Sequence, residues 1–100
     1  MSRAKVACRT PTAGRDGAVN IPAWKFDLLR DSILAVLAGD ELPFAELADR
    51  VRARLGAEEL ARIGSLGWHV TTVKLELEVR GEIARSAGRG PQVLRAVRVG

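Results

Sequence analysis

The feature that most constrains the fold is the segment from Ser65 to Gly81, in which apolar residues recur at helical spacing. The positions that share this spacing are Leu66, Val70, Val73 and Leu77. Steps of four, three and four residues place them on one face of a helix. Serine is a favoured N-cap residue, and glycine readily takes the left-handed conformation that ends a helix. The spacing therefore predicts a helix that begins near Ser65 and ends at Gly81.

The same segment allows a second interpretation. From Val73 to Arg80, apolar and polar residues alternate without interruption, which is typical of a half-buried strand. Leucine, lysine and glutamate are strong helix formers and favour the helix. The strand stays open as the alternative at this point.

As a helix, the segment carries a second apolar stripe, formed by Trp68, Leu75 and Val79, roughly opposite the first. One stripe faces the domain core, and the other would be exposed in an isolated monomer. We therefore expect the N-terminal segment, a second subunit or another protein to cover it. Glu76 and Glu78 are expected on the outer surface, where their carboxylates would repel phosphates.

Length and composition limit the class of protein. One hundred residues form one domain, and 47% apolar residues argue against disorder. Four aromatic residues are too few for a base-stacking platform. Cys8 is the single cysteine and His69 the single histidine, so we expect no disulfide, metal site, cofactor or catalytic pair, and hence no enzyme. The longest apolar run, residues 33–38, is too short to span a bilayer, and a cytoplasmic protein is expected.

The rest of the chain divides into an arm and a folded domain. Residues 1–21 are predicted to form a basic, partly extended N-terminal arm, and residues 22–100 the domain. The elements predicted within the domain are a helix from Pro22 to Ala38, a short strand at Glu41-Leu42, a helix from Pro43 to Leu55, a short extra helix over 57–63, the helix of Ser65–Arg80, and two strands near Glu82-Ile83 and Val93–Val97.

This order of helix, short strand, helix, helix and two-stranded wing resembles the winged helix-turn-helix fold over residues 22–99. The predicted fold class is therefore α+β, with three main helices, a short extra helix and a C-terminal two-stranded β-wing. Residues 22–34 and 67–83 are also similar to a small family of uncharacterised bacterial winged-helix proteins of about this length, which brings no known activity. The extra helix departs from the three- or four-residue turn of a helix-turn-helix.

The winged-helix resemblance implies duplex DNA as the commonest ligand and a possible role as a transcriptional regulator. On this interpretation Thr71, Thr72 and Lys74 read the major groove, while Arg85 and Arg89 of the wing contact phosphate. The distribution of net charge is consistent with phosphate contacts at the two ends of the chain: residues 1–20 carry +3, residues 80–100 carry +4 and residues 21–79 carry −3. The alternative is that these arginines are ordinary solvated surface.

A second hypothesis uses the same helix without DNA. Trp68, Leu75 and Val79 would then form an apolar contact with a second copy or another protein. The sequence leaves both hypotheses open.

Overall fold

A computed structural model describes residues 5–10, 14–86 and 90–97 of the chain. Within these ranges the fold is α+β, with four helices and two small antiparallel sheets. The elements in chain order are β1 (Lys5–Thr10), β2 (Gly14–Pro22), α1 (Ala23–Leu37), β3 (Leu42–Pro43), α2 (Phe44–Arg52), α3 (Ala57–Ile63), α4 (Leu66–Arg80), β4 (Ile83–Arg85) and β5 (Val93–Ala96).

The segment with two possible interpretations is a helix throughout. α4 includes all of residues 73–80, so the strand alternative is wrong. Gly81 ends the helix with φ +77, and the Glu82 amide donates to the Leu77 carbonyl at 2.9 Å. The helix prediction is confirmed. The apolar residues that face the core recur at helical spacing, and the polar residues of the alternating pattern form ion pairs and hydrogen bonds with other residues of the chain.

The strands differ from the predicted C-terminal wing in two ways. β4 and β5 pair antiparallel, with Ala84 opposite Arg95, but β3 adds to the free side of β5 and gives the order β3-β5-β4. A second sheet lies in the N-terminal residues, where β1 and β2 form an antiparallel hairpin that places Val6 opposite Ile21 and Cys8 opposite Val19. The sheet structure is therefore not confined to a two-stranded unit at the end of the chain.

The core lies between α4 and the elements around it. Phe26, Leu29 and Ile33 of α1 are almost fully buried, as are Leu47 and Val51 of α2. The remaining members of this cluster with exposures of 6% or less include Val6, Cys8, Ile21, Ile63, Leu66, Val70, Val73, Leu77, Ile83 and Leu94. Burial of this apolar surface is the main stabilising contribution, and it fixes α4 against the hairpin on one side and α1 on the other.

Candidate interaction surface

The two apolar stripes of α4 have different surroundings. Leu66, Val70, Val73 and Leu77 are buried in the core. On the second stripe, Leu75 and Val79 are half-buried, and Trp68 remains 48% exposed. β1 packs along α4 and supplies the buried side chains of Val6 and Cys8. The N-terminal residues thus provide part of the cover that the second stripe requires.

Glu76 joins the hairpin to α4. Its side chain is 1% exposed, and its Oε1 accepts hydrogen bonds from the backbone amide of Arg9 at 2.8 Å and from Arg9 Nε at 3.0 Å. Its Oε2 accepts from Arg9 Nη2 and from Arg80 Nε, each at 2.7 Å. Glu76 was predicted to face outward, and that prediction is wrong because two guanidinium groups and one amide make its burial favourable.

These bonds determine the charge state of Glu76. Burial raises the pKa of the carboxyl, but the hydrogen bonds from Arg9 and Arg80 outweigh it and lower the pKa to about 2. The same bonds raise the pKa of the Arg9 guanidinium. The carboxylate is therefore ionised at neutral pH and holds β1 against the helix.

Lys74 is also part of the interior. Its side chain is 2% exposed, its ammonium pairs with the Glu78 carboxylate, and Nζ donates to Gln92 Oε1 at 3.0 Å. The ammonium also lies 4.6 Å from the centre of the Phe44 ring, within cation–π distance. Contrary to the prediction that Lys74 reads a DNA groove, it faces away from solvent, because Glu78, Gln92 and Phe44 together replace its hydration.

A groove of about 250 Å³ lies between α4 and the hairpin. The residues that line it are Cys8, Arg9, Val19, Trp68, Thr71, Thr72 and Leu75. Val19 is 41% exposed and Trp68 48%, and together they leave a large apolar area open at this position. The Trp68 ring lies edge-on to His69 with centroids 4.8 Å apart, and Thr72 Oγ1 donates to the Trp68 carbonyl at 2.8 Å.

The other predicted site residues are distributed over the surface. Thr71 and Thr72 are half-buried and line the groove beside Trp68 and Leu75. Val79 is half-buried and is not among the lining residues. Arg85 is exposed, with Nε 3.6 Å from Glu78 Oε1. Arg89 lies outside the described residues. The structure therefore brings two of the proposed interface residues together with two of the proposed DNA-contacting residues.

The sequence offered the N-terminal segment as one of three possible covers for the second stripe, but it did not identify the residues of the hairpin that line this groove. Cys8, Arg9 and Val19 lie far from α4 in sequence, so their position beside it is a tertiary contact that local signals do not specify. The alternation of buried Val6 and Cys8 with exposed Lys5, Ala7 and Arg9 is a strand signal that could have placed β1 on a core face.

The chemistry available at the groove suits contact with an apolar group. Burial raises the pKa of the Cys8 thiol to about 11, with the nearby Glu76 carboxylate adding to the effect, so the thiol is a poor nucleophile at neutral pH.

In the ranges that the structure covers, no group of three or more histidine, cysteine, aspartate or glutamate side chains could hold a metal ion. None of the described helices is long and apolar enough to cross a bilayer.

The fold and the groove define a small α+β domain with an apolar surface at the junction of a hairpin and a central helix. The chain belongs to the Family of unknown function (DUF6958), which it matches over residues 5–94. No curated protein and no solved structure matches the chain.

Proposed function

We propose that this protein is a homodimerisation module in which the groove at Trp68 forms the contact between two copies. The observation that carries the proposal is the exposure of Trp68 and Val19 on either side of a groove of about 250 Å³. This volume lies below the roughly 300–1,000 Å³ of typical ligand pockets and suits one large side chain. In a two-fold symmetric dimer, the Trp68 side chain of each copy would lie against the groove of the other.

The charge distribution on α4 supports a protein contact over a DNA contact. The polar groups near its C-terminal half, Lys74, Glu76 and Glu78, are engaged in ion pairs within the chain. A helix that reads base edges offers free donors and acceptors instead. The groove also adjoins β1, so that the hairpin stands beside the face of α4 that would enter a DNA groove.

We also propose that residues 22–97 have a winged-helix arrangement. The supporting observation is the order of elements, in which α1, β3, α2, α3 and α4 are followed by the antiparallel strands β4 and β5. The hairpin of β1 and β2 is then an addition at the N-terminal side of that arrangement.

A substitution at Trp68 tests the dimer. Trp68→Ser should raise the dissociation constant of the dimer by at least thirty-fold, since central aromatic residues of an interface typically contribute about 2 kcal/mol or more. Sedimentation velocity over a range of protein concentrations measures this constant. Trp24→Ser is the matched control, because Trp24 is 38% exposed on α1 and is not among the lining residues of the groove. Equal dimerisation of Trp68→Ser and the parent would refute the proposed contact.

DNA binding is the second candidate function, and one observation favours it. Arg50, Arg52 and Arg54 are exposed within five residues at the C-terminal end of α2, and Arg85 is exposed on β4. Exposed arginines of this kind can contact phosphates without base readout.

The salt dependence of binding tests this candidate. If about five phosphates are contacted, affinity for a mixed-sequence duplex should fall a few hundred-fold between roughly 50 and 200 mM salt. Fluorescence anisotropy of a labelled duplex measures this change. The Arg50→Ala/Arg52→Ala/Arg54→Ala variant should then bind more weakly than the parent, and the absence of binding at low salt would exclude the candidate.

A further inference from the structure

β2 presents a free edge on the surface of the molecule. The N-terminal sheet has the order β1-β2, and among the described residues no strand pairs with the second edge of β2. Ala18, Val19 and Asn20 in the middle of this strand are all exposed. An edge strand of this kind carries backbone amide and carbonyl groups that can pair with another strand.

The bonds of β1 indicate which groups of β2 point outward. The regular part of the ladder pairs Lys5–Cys8 with residues 19–22, and the register shifts between Cys8 and Thr10. At that shift the Arg9 amide donates to Glu76 and so points away from β2. Within the regular part, amides alternate between the two directions, and the Asn20 amide points to the free edge, on the same side as the nitrogen of Pro22.

Pro22 agrees with this assignment. It lies opposite Lys5, at a position whose backbone nitrogen would point outward by the same alternation. Proline has no amide hydrogen and is tolerated in a strand at such a non-bonded edge position.

The two edges of the hairpin have different charged groups beside them. The Glu76 carboxylate occupies the edge of β1 at Arg9. Residues 17–22 of β2 carry no charged side chain, although the whole chain has a net charge of +4. Charged residues commonly protect edge strands from pairing, and two copies of this uncharged segment can approach each other without like-charge repulsion.

We infer that the edge of β2 pairs antiparallel with β2 of a second copy, so that the two hairpins form one four-stranded sheet across a two-fold axis. The inference rests on the homodimerisation proposed above and names the backbone contact that accompanies the Trp68 contact. A second copy is the occupant because Val19 belongs both to the free strand and to the groove lining, which makes the edge continuous with the proposed dimer contact. Antiparallel pairing near Val19 places the Asn20 amide where it donates to a carbonyl group of the partner strand.

A proline substitution tests this pairing. Asn20→Pro removes an outward amide hydrogen and leaves the hydrogen bonds between β1 and β2 in place. It should raise the dissociation constant of the dimer, measured by sedimentation velocity, by at least ten-fold. Asn20→Ala is the matched control, because it removes the exposed side chain and retains the amide. Circular dichroism of both variants establishes that they fold.

Amide hydrogen exchange of the parent protein tests the same pairing without a substitution. When the protein concentration is raised through the dissociation constant, exchange at Asn20 should slow by at least ten-fold. The Ala7 amide, which points to the other edge of the hairpin, is the internal reference and should change little.

The outcomes separate this inference from the proposed function. Loss of the dimer in Asn20→Pro but not in Asn20→Ala, with protection of the Asn20 amide, supports the strand pairing. A dimer that Trp68→Ser disrupts and Asn20→Pro leaves intact, without protection of that amide, overturns the strand pairing and retains the homodimer. A protein that stays monomeric at all concentrations overturns both.

Discussion

At the scale of single residues, Glu76 has the largest effect on how the chain is organised. Its carboxylate binds the backbone and side chain of Arg9 and the side chain of Arg80, which are 67 and four residues away in sequence. Removing one partner of a buried ion pair is usually strongly destabilising, because the other partner is left as a buried charge without its hydrogen bonds. Arg9 is 46% exposed and Arg80 33%, so water can partly replace the lost bonds here.

The first prediction concerns the pH dependence of stability. The Glu76 pKa is lowered to about 2 in the folded protein and lies near the ordinary glutamate value of 4.5 in the unfolded chain. A lowered pKa stabilises the fold fully above the unfolded-state value, and this contribution is lost as the pH falls toward the folded-state value. The free energy of unfolding should therefore decrease between about pH 5 and pH 2, by on the order of 3 kcal/mol from this group.

Urea denaturation at several pH values measures this contribution. Glu76→Gln should be less stable than the parent by about 2 kcal/mol at neutral pH and should show a smaller loss between pH 5 and pH 2. Glu46→Gln, at an exposed glutamate of α2, is the matched control. A Glu76→Gln variant with the stability and pH profile of the parent would show that the Arg9 and Arg80 bonds contribute little.

At the scale of elements, α4 shows what could be predicted from sequence and what could not. Its bounds and its inward stripe were predictable, since apolar spacing, Ser65 and Gly81 are local signals. The burial of Lys74 and Glu76 was not predictable from the helix itself, because their partners Gln92 and Arg9 come from distant elements. Alternating charged and apolar residues suggested a solvent-facing strand or helix side, whereas ion pairs within α4 and contacts with Arg9 and Gln92 together make those charges compatible with burial.

The hairpin and the C-terminal strands illustrate the same difference. β4 and β5 follow local signals, but the addition of β3 to β5 depends on a pairing between residues about 50 positions apart, such as Leu42 and Leu94. Likewise, Lys5–Cys8 and Ala18–Ile21 could be identified as extended segments, while their packing on α4 required knowledge of the tertiary contacts. The sequence predicted an apolar stripe on the helix and offered the N-terminal segment as one possible cover, but it did not predict the groove that Cys8, Arg9 and Val19 form with that stripe.

The second prediction compares two glycines of the α4 region. Gly81 has φ +77 at the end of the helix, whereas Gly67 lies in its first turn, and a Cβ at either position meets no atom within 4 Å. Gly81→Ala should therefore destabilise the protein by about 1 kcal/mol through backbone strain alone. Gly67→Ala should stabilise it by up to about 1 kcal/mol, because alanine favours a helix over glycine. Thermal unfolding of both variants measures the difference, and a Gly81→Ala variant as stable as Gly67→Ala would contradict this account of the helix end.

At the scale of the whole molecule, the fold uses its central helix for internal contacts and leaves an apolar groove at its side. Lys74, Glu76 and Glu78 connect α4 to β1, β4 and the segment before β5. The part of α4 around Trp68 remains exposed, beside a strand whose second edge is unpaired among the described residues. The proposed self-association would cover both features in one contact.

The mass of the protein in solution tests this central claim most directly. Size-exclusion chromatography with multi-angle light scattering, run from low to high micromolar concentration, should show a species of twice the 10.8 kDa chain mass that dissociates on dilution. Loss of that species in Trp68→Ser, with retention in Trp24→Ser, would locate the contact at the groove. A constant mass of 10.8 kDa at every concentration would contradict the homodimer and leave the groove for another partner.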